Sequence, residues 1–421
     1  MQSSIKLRLT VMNFLQFAVW GAYLTSMGRY LGTAGFGSEI GNFYAMQGLV
    51  SLFMPALMGI VADRWIPAQR LLGVCHTLAG MLMLGVFLYT QTDAPSYPSL
   101  FALYSLSVAF YMPTLALSNS VAYTSLDQAG LDLVKSFPPI RVFGTVGFIC
   151  TMIAVSLLGL EATSGQFAVS AIISLVLAVY AQTLPNCPTA PKGQSKSLVE
   201  ALGLRAFVLF KQRKMALFFI FSMLLGVSLQ ITNGFANPFI STFGEIPAYA
   251  DTFGVKYANI LISLSQLSET LCILLIPFAL RRFGIRRVML IAMVAWVLRF
   301  ALLGLGNPGS GVWLFLLSMI VYGVAFDFFN VSGSLFVDKE TDPSIRSSAQ
   351  GLFMIMTNGI GATLGSLGAQ AVINHFVYSE HDTTAILAGW SMSWYVFAAY
   401  AAVVAVLFAL LFRYNTVTEA K

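Results

Sequence analysis

Apolar residues run through this chain in long blocks, and polar residues gather in the short interruptions between them. A hydrocarbon core of about 30 Å takes roughly 20 helical residues to cross. Blocks of that length lie at 9–31, 40–62, 69–90, 97–123, 137–160, 165–184, 215–240, 255–280, 286–305, 312–337, 347–376 and 388–412. They predict twelve membrane-spanning helices, numbered here span 1 to span 12. The first block is too long for a signal-peptide core and lacks a convincing small-residue cleavage site, so it reads as retained. Little chain remains outside the spans, which excludes a sizeable soluble domain.

Composition agrees: 57% of residues are hydrophobic and 10% charged, with a mean hydropathy of +0.79. A soluble domain carries roughly 25% charged residues. Basic residues set the orientation, because loops rich in Lys and Arg stay cytoplasmic. Twelve spans place both termini on one side. With that side cytoplasmic, only Arg29 and Lys256 lie outside, and Arg141 and Arg299 fall within spans. The other nineteen of the 23 Lys and Arg residues lie inside. Dispersed over short loops, they account for the net charge of +6 and the pI near 9.1 without a nucleic-acid partner. Cys75, Cys150 and Cys272 are intramembrane and Cys187 is in an inside loop, so no disulfide framework is implied. Three histidines without a Cys/His cluster predict no metal site, and no cofactor is expected.

The one substantial inside loop, 185–214, separates an N-terminal six-helix bundle (1–184) from a C-terminal one (215–421). It opens with Pro185, Cys187, Pro188, Pro191 and Gly193, which break structure. It continues as SLVEALGLRAFVLFKQRK, where Leu198, Ala201, Leu202, Leu204 and Phe207 share one apolar face of an amphipathic interfacial helix. The halves echo each other. GIVADRWIPAQR (59–70) follows span 2, and LRRFGIRRVM (280–289) follows span 8, both short, basic and inside. In the first loop the match rests on Asp63, Arg64 and Arg70, since Ile66-Pro67 stands where a glycine is usual. Two six-helix halves around a midplane site form the major facilitator architecture. The expected fold is therefore an all-α membrane protein of that kind. Spans 3, 6, 9 and 12, the lipid-facing ones, are poor in polar side chains apart from His76 near one end and Arg299 near the other. Spans 5, 7, 8 and 10 carry the notable polar groups.

Three of those groups are charged. Arg141, Glu269 and Asp327 lie inside spans, where charge costs at least a few kcal/mol and survives only facing a cavity or a partner. In span 5, Arg141, Thr145 and Phe148 share a face at i, i+4 and i+7, with Pro138 and Pro139 tolerated near the helix start. Arg141 is also close enough to the cytoplasmic end to snorkel. Span 7 offers Gln230 and Asn233, amides that can either read a heterocycle or join helices. Span 8 offers Gln266 and Glu269, the latter too deep to snorkel. In span 10, Tyr322 and Phe326 are i, i+4, and Phe326, Phe328 and Phe329 bracket Asp327. Only one or two of those phenylalanines are expected to touch substrate. Aromatic faces beside a carboxylate suit a flat ring carrying a hydroxylated sugar. Desolvation favours the neutral acid, which makes Asp327 and Glu269 the candidates for carrying a proton. The glycine-rich stretch 359–368 reads as helix packing. With no nucleophilic triad, phosphate loop or zinc helix, no enzyme is indicated. Uphill transport would run on an ion gradient.

These segments resemble the nucleoside:proton symporter family, the nucleoside and xanthosine permeases of enteric bacteria. The resemblance runs from about residue 8 to 412. It is carried by FLQFAVWG (14–21), FMPALMGIVADRW (53–65), FPPIRVFGTVGFI (137–149), LGLRAFVLFK (202–211), LQITN (229–233), SLSQLSET (263–270), SMIVYGVAFDFFNVSGSLFV (318–337) and SAQGLFMIMTNG (348–359). It implies proton-driven uptake of nucleosides across a bacterial inner membrane; the chain is expected to work by alternating access, as a monomer in the lipid bilayer. It also implies a site of Arg141, Thr145, Phe148, Gln230, Asn233, Gln266, Glu269, Tyr322, Phe326 and Asp327. The amides would hold base or ribose, an aromatic would stack on the ring, and the carboxylates would accept ribose hydroxyls. Asp327 is the first choice for the coupling proton, with Arg141 its electrostatic partner. The rival reading is a symporter of sugars or other hydroxylated solutes, which the same carboxylates could serve.

Overall fold

A computed structural model describes residues 2–189, 197–202 and 204–414. Those residues form helices, turns and loops, with no strand among them. Among the described residues nine stretches are long and apolar enough to cross a bilayer by length and composition. The longest, Ala258–Leu305, is two spans in one: Gly284 inside it has φ 75°, a left-handed backbone that a side chain would strain, and it turns the chain between spans 8 and 9. Gly165–Ala181 is a shorter apolar helix, span 6, and Gln2–Gly21 with Met27–Thr33 makes span 1. The twelve spans read from the sequence are all present, with ends moved by a few residues.

Hydrophobic pattern does not show where a span breaks. Span 1 is interrupted over 22–26, and span 2 divides into Ile40–Ser51 and Met54–Arg64. Pro55 starts the second piece, where its missing N–H is no loss. Span 7 divides at Gln230 into Arg213–Leu229 and Ile231–Thr242. Span 11 contains a π-helical stretch, Ile355–Gly361, a wider turn that often marks functional positions. Span 5 begins at Leu133, earlier than expected, so Pro138 and Pro139 lie inside the helix rather than at its start.

The chain forms two compact units. One comprises Met1–Phe36 and Met46–Leu202, the other Gly37–Ala45 and Gly203–Lys421. In the first unit span 1 packs on spans 5 and 6, and span 3 on spans 4 and 6. Leu9, Met12, Leu72, Val121, Ile140 and Leu177 are buried in its core. Arg29 pairs with Glu161 at 3.3 Å, and Ser156 donates to the same carboxylate. In the second unit span 9 packs on spans 10 and 12, span 8 on span 10, and span 7 on the π-helical stretch. The glycine-rich stretch thus serves packing. Phe239 sits among Phe315, Trp390 and Trp394 in the core. Segment Gly37–Ala45 is held there by Gln370, which accepts from the Gly41 N–H and donates to Gly37 O at 3.0 Å.

Several expectations are revised. His76 and Arg299 look peripheral by position in the sequence, yet both are buried, at 0% and 2% exposure. The amphipathic helix expected over 198–207 is instead a short helix, Leu198–Ala201, followed by a 3₁₀ stretch, Leu204–Lys211. In a 3₁₀ helix residues three apart align, so Ala206 and Leu209 turn inward while Phe207 and Val208 stay exposed. Pro191, Lys192, Gly193, Lys196 and Lys421 lie outside the described residues, as do the side chains of Leu198 and Ala201. Cys187 is buried, its backbone N–H donating to Gln69 Oε1 at 2.9 Å.

Candidate functional site

In the first unit the candidate residues lie along span 5, Leu133–Leu157. Arg141 and Thr145 are half-buried and Phe148 is buried. The Arg141 guanidinium carbon lies 4.1 Å from the Phe17 ring centroid of span 1, a cation–π contact. Phe148 meets the Trp20 ring edge-on at 6.3 Å. Trp20 in turn lies 6.0 Å from Tyr111, and its Nε1–H has no hydrogen-bond partner. Phe17 and Trp20 were missed in the sequence. Their signal was available: they are three apart in FLQFAVWG and so share a face of span 1.

That segment of span 1 is fixed from behind by buried polar groups. Gln16 donates from Nε2 to Thr114 Oγ1 at 2.7 Å, and its Oε1 lies 2.8 Å from His76 Nε2. Gln16 Oε1 only accepts, so His76 carries its proton on Nε2. Tyr111 donates to the Gln16 backbone carbonyl at 2.9 Å. Span 1 therefore presents Phe17 and Trp20 from an anchored backbone.

In the second unit the break in span 7 falls on a candidate residue. Gln230 caps one helix and opens the next, and its Oε1 accepts from Asn233 Nδ2 at 2.9 Å. That bond uses one of the two Asn233 N–H donors and one lone pair of Gln230 Oε1, so the pair keeps both donors and acceptors to offer a ligand.

Spans 8 and 10 approach closely, because a Cβ on Gly323 would stand only 2.5 Å from Ser268 O. Ser265 donates to Met319 Sδ at 3.0 Å, and Ser268 donates to the Ile320 carbonyl. This contact brings Glu269 near Tyr322 and Asp327, so that the two carboxylates interact electrostatically. Gln266 lies one turn from Glu269, and both are half-buried. Asp327 is 5% exposed, and its Oδ2 has no hydrogen-bond partner. A buried acceptor left unsatisfied costs about 1–3 kcal/mol, so this oxygen is poised to take a proton or a substrate hydroxyl.

The aromatics around Asp327 divide. Tyr322 and Phe326 stack at 5.6 Å with 17° between their planes, and Phe326 is half-buried. Phe329 is fully buried against Phe218 and Phe353, and Phe328 is buried as well. Of the three phenylalanines in the motif, Phe326 is thus the one with surface to offer. Among the described residues no cluster of His, Cys, Asp or Glu could hold a metal ion.

A twelve-span helical protein with carboxylates, amides and stacked aromatics inside its spans has the make-up of a membrane transporter, not of an enzyme. The nucleoside H+ symporter family model matches residues 3–417, and the chain belongs to that family. It is 49% identical to the xanthosine permease of Escherichia coli (strain K12) over 415 residues, covering 98% of this chain and 97% of that protein. It is 46% identical to the nucleoside permease NupG of the same organism over 417 residues, with the same coverage. The crystal structure of nucleoside transporter NupG superposes with a TM-score of 0.89 at 45% identity, covering 98% of this chain and 100% of that one. A POT family peptide transporter, 16% identical, shares the fold with a TM-score of 0.68 and covers 100% of this chain and 98% of that one. The fold is the major facilitator fold expected from the sequence, and the chain is a proton-coupled nucleoside transporter.

Proposed function

We propose that this protein imports nucleosides with protons by alternating access, as a monomer in a bacterial inner membrane, and that Asp327 carries the coupling proton. Gln230, Asn233 and Gln266 read the base or the ribose, while Phe326, backed by Tyr322, and Phe148 supply ring faces. Glu269 and Asp327 accept ribose hydroxyls. Thr145 offers a hydroxyl on the same face as Arg141, which supplies a fixed positive charge. The observation that carries this reading is the buried, unpartnered Asp327 Oδ2 beside Glu269 and the Tyr322–Phe326 stack. One grouping supplies a proton acceptor, a hydroxyl acceptor and a stacking surface.

Purified protein in liposomes tests it. With the interior made alkaline, labelled uridine or xanthosine is expected to accumulate unaltered inside, and collapse of the gradient by a protonophore is expected to release it. Free ribose should compete poorly and intact nucleosides well. Accumulation that ignores the pH gradient, or better competition by ribose than by nucleosides, would overturn the reading.

We further propose that both termini and the linker face the cytoplasm, on the strength of nineteen inside basic residues against Arg29 and Lys256 outside. Cys187 is a poor probe, being buried. Lys211 is exposed, so Lys211→Cys in a background lacking Cys150 is the better one. An impermeant maleimide is expected to label it in inverted vesicles and to leave it unmodified in intact cells. Equal labelling in intact cells would reverse the orientation.

A further inference from the structure

Arg299 in span 9 is a charged side chain that the transport reading leaves without a role. It is only 2% exposed, and among the described residues no carboxylate stands within ion-pair distance. Its Nη1 donates to Ser318 O at 2.8 Å and to Ser265 Oγ at 3.3 Å, and its Nε has no partner. Packing alone does not explain such a group. A buried cation held by neutral acceptors is poorly compensated, and an apolar side chain of similar volume commonly serves stability as well or better. Charge kept inside a membrane protein at that disadvantage points to function.

Its surroundings say which function. The guanidinium carbon lies 4.5 Å from the centroid of Tyr322, a cation–π contact in a dry setting where such contacts are strongest. Trp296, one turn earlier on span 9, meets Tyr322 edge-on at 5.9 Å. Tyr322 stacks on Phe326. The Arg299 donors also tie span 10, at Ser318, to span 8, at Ser265, the residue preceding Gln266. One guanidinium thus sets the plane of the Tyr322 ring and the register of the two spans that carry Gln266, Glu269 and Asp327. A cation against the ring also withdraws electron density, making the Tyr322 O–H a stronger donor.

We propose that Arg299 is a positioning residue of the nucleoside site, holding Tyr322, and through it Phe326, in the orientation that recognises substrate. This rests on the nucleoside-site reading above, and the experiment separates the two. Arg299→Met keeps the volume and removes the charge. With tritiated uridine, or tritiated xanthosine if the wild type does not take uridine, KM is expected to rise about tenfold. Maximal uptake rate should change little, and the melting temperature in detergent should hold or rise. In a Tyr322→Leu background the same substitution should add a smaller loss of binding than it causes in the wild type, because the route through the ring is already gone. Arg299→Lys, which keeps charge but not the planar fork, should fall between wild type and Met, and it serves if Arg299→Met does not fold. Unchanged KM in both variants, or an equal added loss in the Tyr322→Leu background, would overturn the proposal. If the wild type itself binds neither nucleoside, the site reading fails instead.

Discussion

Asp327→Asn is expected to abolish uphill accumulation of nucleoside while leaving exchange of nucleoside between two pools. The substitution keeps the shape and a hydrogen-bonding head but can neither take up nor release a proton. Coupling demands a group that is loaded on one side and unloaded on the other, in step with substrate. Arg141 and Arg299 cannot do this, since a guanidinium effectively never deprotonates. His76 has both ring nitrogens engaged, with Ser174 and Gln16. Asp327, with Oδ2 buried and unpartnered, has the vacancy a travelling proton needs. Liposomes loaded with unlabelled nucleoside would read exchange, and empty ones under an imposed pH gradient would read accumulation. The variant should bring inside and outside concentrations to equality and no further. If it still concentrates nucleoside, Asp327 is not the carrier and Glu269 becomes the residue to test.

The spans were legible because lipid imposes a length and a composition on any helix that crosses it. Ala258–Leu305 shows the limit: hydropathy marks one apolar region, and only the basic run Arg281–Arg287 and the turn at Gly284 divide it. The site was legible where charge interrupts a span, as at Arg141, Glu269 and Asp327, because charge has few excuses at that depth. What surrounds those residues was not. No local pattern announces that span 7 breaks at Gln230, since a break reflects what neighbouring helices can satisfy rather than the propensity of the segment. Arg299 was assigned to a lipid-facing span on its position in the sequence. Its burial depends on which face of span 9 turns toward span 10, a tertiary fact. Phe17 and Trp20 look like ordinary apolar residues until span 1 is laid against span 5.

Gln266→Ala and Glu269→Ala are each expected to weaken nucleoside binding by about 1–3 kcal/mol, the usual range when a polar partner is lost from a buried interaction. That is roughly fivefold to more than a hundredfold in affinity. The two lie three apart on span 8 and are half-buried, so they have surface to give to a ligand without being pillars of the core. Neighbours that alternate with them join that helix to span 10: Ser265 and Ser268 bond to it, and Gly323 lets the backbones meet. Truncating Gln266 or Glu269 is therefore expected to weaken recognition while the Ser265, Ser268 and Gly323 contacts between spans 8 and 10 remain. Glu269→Gln discriminates further. It keeps an acceptor for a ribose hydroxyl but removes the charge that acts on Asp327. Binding should be weakened less than in Glu269→Ala, while the pH dependence of transport should shift, because one of two neighbouring carboxylates is gone. Calorimetric binding and uptake across a pH series would read both effects, with membrane abundance measured alongside. Unchanged binding together with collapsed abundance would make these residues structural, and would remove span 8 from the nucleoside site.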